Sequence, residues 1–361
     1  MTPITQLTIH GFKSIQNLNE FELGNLNVLI GANGSGKSNF ISWFEMMKEL
    51  AEHRLRFWIS NRKNVDRILW EGSKKIKSLE SKITCGPLTY SFTLEPNDQW
   101  GMVFTDEKIN IPIGFTHEPP FYPESFVIER DFDEKLPDEW QFIQIIDNWQ
   151  IYHFHDTTPT SGMVLEQDLQ DDKYLRPNAE NIAPILFRIR REVPETYQRI
   201  RKIVNLAAPF FEDFFLNPRK SDSGKEIVDL SWTQTDCEDP FNPTQLSDGT
   251  LRFICLVTAL LQPNPPSTIL IDEPELGLHP YALAILGDLL RTASQRMQII
   301  VSTQSVSLVN EFSIDDLIVV ERQNGASTFQ RLKEEDFQAW LEDYSTGELW
   351  EKNILRGRLP Q

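Results

Sequence analysis

The segment Gly31-Ala32-Asn33-Gly34-Ser35-Gly36-Lys37-Ser38 carries the most specific chemistry in the chain. Glycines at these intervals let main-chain N–H groups close around phosphate oxygens. Lys37 adds a point charge for the β- and γ-phosphates, and Ser38 offers a hydroxyl to Mg²⁺. Gly31, Asn33, Gly34, Ser35, Gly36, Lys37 and Ser38 are therefore the candidate ATP contacts. The pattern carries this meaning only between a strand and a helix, whose N-terminus favours the same anion. Leu26 to Ile30 reads as a short apolar strand. Phe40, Ile41, Phe44, Met47 and Leu50 recur at helical spacing beyond Lys37, which predicts one face packed on a sheet.

A phosphate loop needs a carboxylate to complete the Mg²⁺ coordination. Thr268-Ile-Leu-Ile-Asp272-Glu273-Pro274 is a buried-type strand that delivers two acids at its C-terminal edge, where ligands gather in parallel sheets. Asp272 is the candidate metal ligand beside Ser38, and Glu273 the candidate general base for an attacking water. Ser247-Asp248-Gly249, read from residues alone, is an N-cap and turn at a helix start. In Trp149-Gln-Ile-Tyr-His-Phe-His-Asp156, His153 and His155 share one face of a probable strand. Metal binding, nucleotide sensing and plain structural hydrogen bonding are all open there, and Gln150 is a further candidate for a sensing amide.

The elements that position these groups alternate strand and helix from about residue 227 to 323, including strands at Ile227 to Trp232, Met297 to Ser302 and Leu317 to Val320. Such alternation predicts a largely parallel sheet with helices on its faces. Residues 173 to 216 read as helices, and Leu88 to Leu94 as a strand. Pro- and Asp-rich connections run from Pro112 to Pro137. One large domain over residues 1–361 is expected, in four parts: the first strands and phosphate loop (1–51), a basic helical and β-rich insertion (52–172), a helical subdomain (173–226), and a last lobe with a tail (227–361).

The net charge of −18 disfavours nucleic acid over most of the surface. Arg54, Arg56, Arg62, Lys63, Arg67, Lys74, Lys75 and Lys77, with Trp58 and Trp70 interleaved, form the one stretch where a local basic patch could bind it; a solvated helix is the plainer reading. No run approaches the roughly 20 apolar residues of a membrane span, and the N-terminus lacks an export signal, so a cytoplasmic protein is expected. Cys85, Cys237 and Cys255 are odd in number and share no C-x-x-C spacing, which fits neither a disulfide framework nor a zinc site.

These motifs together resemble the SMC/RecF/OLD branch of ABC-type ATPases. Leu246-Ser247-Asp248-Gly249-Thr250 looks like the signature motif, Glu275-Leu-Gly-Leu-His279-Pro280 like the D-loop, and Gly11-Phe12-Lys13-Ser14-Ile15 like the N-terminal strand-end motif. The 149–156 stretch and the tail Trp340-Leu-Glu-Asp-Tyr-Ser-Thr-Gly-Glu-Leu-Trp350 resemble small bacterial RecF-like ATPases. The resemblance implies an α/β ABC-type ATPase head: a mixed, mainly parallel P-loop sheet flanked by helices, a β-rich N-terminal lobe edge and a helical insertion, without a long coiled coil. It implies ATP and Mg²⁺ as cofactors and adds Lys13 and Ser14 to the nucleotide contacts. It also implies head-to-tail pairing, as a homodimer or higher oligomer, with Ser247 and Gly249 reaching the γ-phosphate held by the other copy. Gln304 stands where most ABC-type ATPases carry a switch histidine; its amide can bond the γ-phosphate or the attacking water but cannot titrate near neutral pH.

Three functions compete at this level: a RecF-like ATPase gating a separate effector such as a nuclease in anti-phage defence or DNA maintenance, the ATPase subunit of a transporter, and a nucleotide-switched binding module with little turnover. About 40 residues follow Glu321, too few for an appended nuclease domain, so no nuclease site is expected here. The apolar residues of the tail, Trp340, Leu341, Tyr344, Leu349 and Trp350, suit packing on the lobe or docking of a partner.

Overall fold

A computed structural model describes residues 2–62, 64–110, 122–125, 144–235 and 237–355. From the N-terminus, β1 (Gln6–Phe12), β2 (Ile15–Glu22) and β3 (Leu26–Ile30) lead into α1 (Lys37–Ala51) and α2 (Leu55–Asn61). β4 (Leu79–Cys85), β5 (Leu88–Asn97) and β6 (Gly101–Asn110) follow, then β7 (Trp149–Tyr152) and β8 (Gln167–Asp168). Helices α3 (Ile182–Glu192) and α4 (Pro194–Ala207) precede four short strands: β9 (Phe211–Phe214), β10 (Arg219–Lys220), β11 (Glu226–Val228) and β12 (Trp232–Gln234). The last part runs α5 (Asp248–Leu261), β13 (Thr268–Asp272), α6 (Pro280–Ala293), β14 (Gln298–Thr303), α7 (Val306–Val309), β15 (Leu317–Gln323), β16 (Ala326–Arg331), α8 (Gln338–Leu341) and α9 (Thr346–Glu351).

Two sheets organise the chain. One is antiparallel, in the order β2-β1-β4-β5-β6; the other runs β16-β15-β3-β14-β13-β7, parallel except for the β15–β16 hairpin at one edge. Successive side chains of a strand face opposite ways, so each parallel strand feeds two cores. Leu29, Leu270, Ile300 and Ile318 join one hydrophobic cluster with the antiparallel sheet. Val28, Ile30, Ile269, Ile271, Ile299 and Val301 join the other, under α3, α4, α5 and α6.

Helix α1 lies between the two sheets. Trp43 and Met46 are buried together with Phe40, Ile41, Phe44 and Met47, so apolar positions wrap the helix rather than form the single stripe expected from its spacing. A helix covered on both sides has little solvent face left for polar residues. That burial anchors the phosphate loop at its N-terminus, since truncating a buried Phe or Trp of this kind costs about 3–5 kcal/mol.

Two expectations change. The run from Ile227 to Trp232 is not a strand of the parallel sheet: it is divided between β11, which pairs with β8 and β10, and β12, which pairs with β9. Asp229 breaks the run by accepting the main-chain N–H of Ser231 at 3.1 Å in a local turn. Conversely β7, from the expected insertion, is a parallel-sheet strand alongside β13. The connections from Pro112 to Pro137 lie mostly outside the described residues. No described helix exceeds the 15 residues of α1, and none is long and apolar enough to cross a membrane.

Candidate nucleotide site

The phosphate loop joins β3 to α1, and its shape depends on what lies behind it. Gly36 has φ 118°, and a Cβ there would fall 2.0 Å from the Ser327 hydroxyl on β16. Only glycine accepts both the backbone angle and the approach. Ser327 donates to the Ser35 carbonyl at 2.5 Å and lies 2.7 Å from the Ser14 hydroxyl, which also accepts from Asn39 Nδ2 at 2.7 Å. A hydroxyl has one proton to give, so the order is set: Asn39 to Ser14, Ser14 to Ser327, Ser327 to the loop.

Ser14 is thus spent bracing the loop from inside the protein, 5 % exposed, rather than presented to a nucleotide. Lys13, with φ 47°, donates its ammonium to Ser42 on α1 at 2.6 Å. Burial, then the nearby Arg62, lowers its pKa to about 8. Lys13 and Ser14, which the resemblance adds to the nucleotide contacts, bond Ser42, Asn39 and Ser327 in this structure.

Lys37 curls over its own loop, donating to the Gly31 carbonyl at 2.6 Å and the Ala32 carbonyl at 3.3 Å. Burial lowers its pKa, against the carboxylates of Glu273, Asp272 and Glu275. Ser38 Oγ lies 3.4 Å from Asp272 Oδ2, although 234 residues separate the two in sequence. Ser302, beside Asp272 in the ladder, bonds the other carboxylate oxygen. Two hard oxygen donors facing each other suit Mg²⁺. The Ser35 hydroxyl is buried without a partner among the described residues, and the space beside Gly34 is open. The residues present fit a magnesium-bound polyphosphate.

Glu273 continues the parallel ladder for one residue, its N–H donating to the Ser302 carbonyl at 2.9 Å, and then turns the chain with φ 47°. A left-handed non-glycine residue costs about 1–3 kcal/mol and persists where surroundings hold it. Gln304 supplies part of that hold: its Nε2 donates to Glu273 Oε1 at 2.5 Å. The amide expected to meet the γ-phosphate or water is committed here to the carboxylate.

Of the 149–156 stretch, only His155 reaches this site, its Nε2 lying 3.1 Å from the Asp272 carbonyl and so carrying the proton. His153 pairs with Glu45 at 3.4 Å, a bond that chiefly lowers the Glu45 pKa. Asp156 caps its own turn through Thr158. Gln150 opens onto a separate cleft with Glu45, Lys48 and His153. No group of three or more metal-ligating side chains occurs among the described residues.

Ser247 N-caps α5, accepting the Thr250 N–H at 3.1 Å, and is exposed. Gly249 packs so closely on the D-loop that a Cβ would lie 2.1 Å from the Gly277 carbonyl. No hydrogen bond among the described residues joins Ser247 or Gly249 to the phosphate loop of the same chain. Arg252, one turn further along α5, donates to the carbonyls of Phe154, His155 and Leu276 at 3.0, 2.9 and 3.2 Å. One guanidinium therefore ties the signature helix to the segment after β7 and to the D-loop.

Three side chains of the basic stretch pair with acids. Arg54 pairs with Glu49 and Glu52, Lys75 with Glu71, and Arg62 with Glu45 while stacking 3.4 Å over Trp58. Lys63 lies outside the described residues. In the tail, Leu349 is fully buried and Leu341, Tyr344 and Trp350 pack on the core, with Gly347 pressed against Asn310 just beyond α7. Trp340, by contrast, is exposed at 38 %.

Residues 26–310, well over half of the chain, match the family model described as "AAA domain, putative AbiEii toxin, Type IV TA system". The chain belongs to this AAA-domain family. Its fold is similar to that of SMC head domains. An SMC head bound to the C-winged helix domain of ScpA is 17% identical, with 93% of this chain and 99% of that one covered at a TM-score of 0.57. An SMC head domain with an extended coiled coil, bound to the C-terminal domain of ScpA derived from Pyrococcus furiosus, is 17% identical, with 95% and 99% covered at a TM-score of 0.52. At such identity the likeness concerns the fold of this AAA-domain ATPase. No curated protein matches it.

The motifs of this AAA-domain ATPase were legible, but their supports were not. Ser327, Asn39, Ser302 and Arg252 belong to no motif. The only sequence signal for Ser327 is its place in an alternating hairpin strand after Leu317 to Val320.

Proposed function

We propose that this chain binds ATP at the phosphate loop, hydrolyses it, and works as a head-to-tail pair that gates a separate effector, a nuclease, in bacterial anti-phage defence or DNA maintenance. The observation that carries the catalytic part is the convergence of Lys37 and Ser38 from α1 with Asp272 and Glu273 from the end of β13. Ser38 and Asp272 would hold Mg²⁺, which would supply charge neutralisation to the bound phosphates. Lys37 binds the same phosphates. Gln304 occupies Glu273 Oε1, which leaves Oε2 to take the proton of the attacking water. His155 and Ser302 hold Asp272 in place from its carbonyl and its carboxylate.

Pairing is supported by the exposed Ser247 at the N-terminus of a 14-residue helix, a site that favours anions yet bonds no part of its own phosphate loop. A separate partner is supported by analogy only: the family description reads "putative AbiEii toxin, Type IV TA system", and the similar SMC heads are described as bound to domains of ScpA. Purification of the tagged chain from its native host, with ATP turnover measured with and without DNA, tests the whole reading. A co-eluting soluble effector and measurable turnover are expected. A co-eluting membrane permease would make it a transporter subunit, and tight ATP binding without turnover would make it a nucleotide-switched binding module.

A further inference from the structure

Glu275 belongs to no step described above, yet its carboxyl is built into the site. Its Oε1 accepts the main-chain N–H of Gln304 at 2.8 Å. The side chain of the same Gln304 donates to Glu273 at 2.5 Å. One residue at the end of β14 is therefore held at its main chain by one acid and holds with its amide another acid two positions away. The left-handed turn at Glu273 makes this possible, because it folds the chain back so that Glu275 faces β14 rather than continuing the line of β13.

We propose that Glu275 is a positioning residue for hydrolysis: it fixes the backbone of Gln304 and so aims the Gln304 amide at Glu273. The inference rests on the reading of Glu273 as general base. Its cost is visible in the structure. Glu275 Oε2 is buried without a hydrogen-bond partner among the described residues, and burial pushes the carboxyl above its usual range. A buried acid left half-satisfied is retained where the acceptor it supplies matters more than its solvation.

Glu275→Ala, Glu275→Gln, Gln304→Ala and the double variant Glu275→Ala with Gln304→Ala are compared for fluorescent-ATP affinity, KM and kcat. Loss of a single charge-assisted hydrogen bond predicts a kcat fall of about 10-fold in Glu275→Ala, with ATP affinity within about 2-fold of the parent. Glu275→Gln keeps an oxygen for the Gln304 N–H and should restore most of the rate. The double variant should fall no further than Gln304→Ala alone, because both act through one contact. Additive losses, a matching fall in ATP affinity, or an unchanged rate in Glu275→Ala would overturn the proposal. Should Glu275→Ala fail to fold, Glu275→Asp, too short to reach the N–H, replaces it in every comparison. A slow Glu273→Gln beside a normal Glu275→Ala overturns this inference alone, whereas normal turnover in Glu273→Gln overturns the general-base reading and this inference with it.

Discussion

The side-chain amide of Gln304 donates to the carboxylate of Glu273, Nε2 to Oε1 at 2.5 Å, across the ends of two adjacent parallel strands. The bond couples the residue at the switch position to the acid that would activate water. Gln304 can orient Glu273 but cannot exchange a proton with it near neutral pH.

Glu273→Gln should leave ATP binding intact and slow hydrolysis by at least about 100-fold, the usual scale of a general base. Because the product is no longer formed, the variant should also accumulate as an ATP-bound pair on size-exclusion chromatography. Turnover at the parent rate would remove Glu273 from the base role.

Lys37 is the only side-chain ammonium directed over the phosphate loop among the described residues, at 2.6 Å from the Gly31 carbonyl. Lys37→Ala should weaken ATP binding by at least about 10-fold, the equivalent of one hydrogen bond to a charged group. Calorimetric titration with ATP decides it, and equal affinities would sink the phosphate-loop assignment.

Ser247 is exposed and satisfied only by its own helix start. Ser247→Arg should therefore leave the folded monomer and its ATP affinity intact while blocking ATP-dependent pairing. Light scattering with ATP and the Glu273→Gln background reads this directly. Pairing that survived the substitution would refute the shared site.

Lys13 gives a prediction in pH. Its folded pKa of about 8 lies below the ordinary value of 10.5, so between those limits the unfolded chain binds more protons and stability rises with pH. Below about 8 the buried ammonium is charged and its desolvation is fully felt. Lys13→Met removes that cost, so the stability difference between variant and parent should shift in the parent's favour as pH rises from 8 towards 10.5. Denaturant unfolding across that range tests it; a difference independent of pH would show that the ammonium is not desolvated.

Much of the site was legible because its groups are local. Gly31 to Ser38 make one turn, Asp272 and Glu273 end one strand, and Ser247 caps one helix; each is dictated by residues within a few positions. The same locality explains the error at Ile227 to Trp232, where short apolar runs look alike whether they enter a parallel sheet or a small antiparallel one. In the basic stretch, the charges of Arg54 and Arg62 are visible in the sequence, whereas the geometry that sets Glu45, Glu49 and Glu52 against them belongs to the fold.

By itself, then, the sequence determined that a glycine-rich loop between strand and helix, an acidic strand end and a capped helix exist, since backbone propensity and short spacing are properties of neighbours in the chain. Only the tertiary structure decided what each one touches. Ser38 meets Asp272 across 234 residues, because the registers of β3, β14 and β13 place those strand ends side by side; Ser327 on β16 meets Ser14 across 313, where its main-chain N–H donates to the Ser14 carbonyl at 2.7 Å in the turn between β1 and β2. Register is a relation between strands distant in sequence, set by which faces are buried. For that reason the loop's brace, the fate of Lys13 and the partner of Gln304 emerge only once both faces of the parallel sheet have been covered.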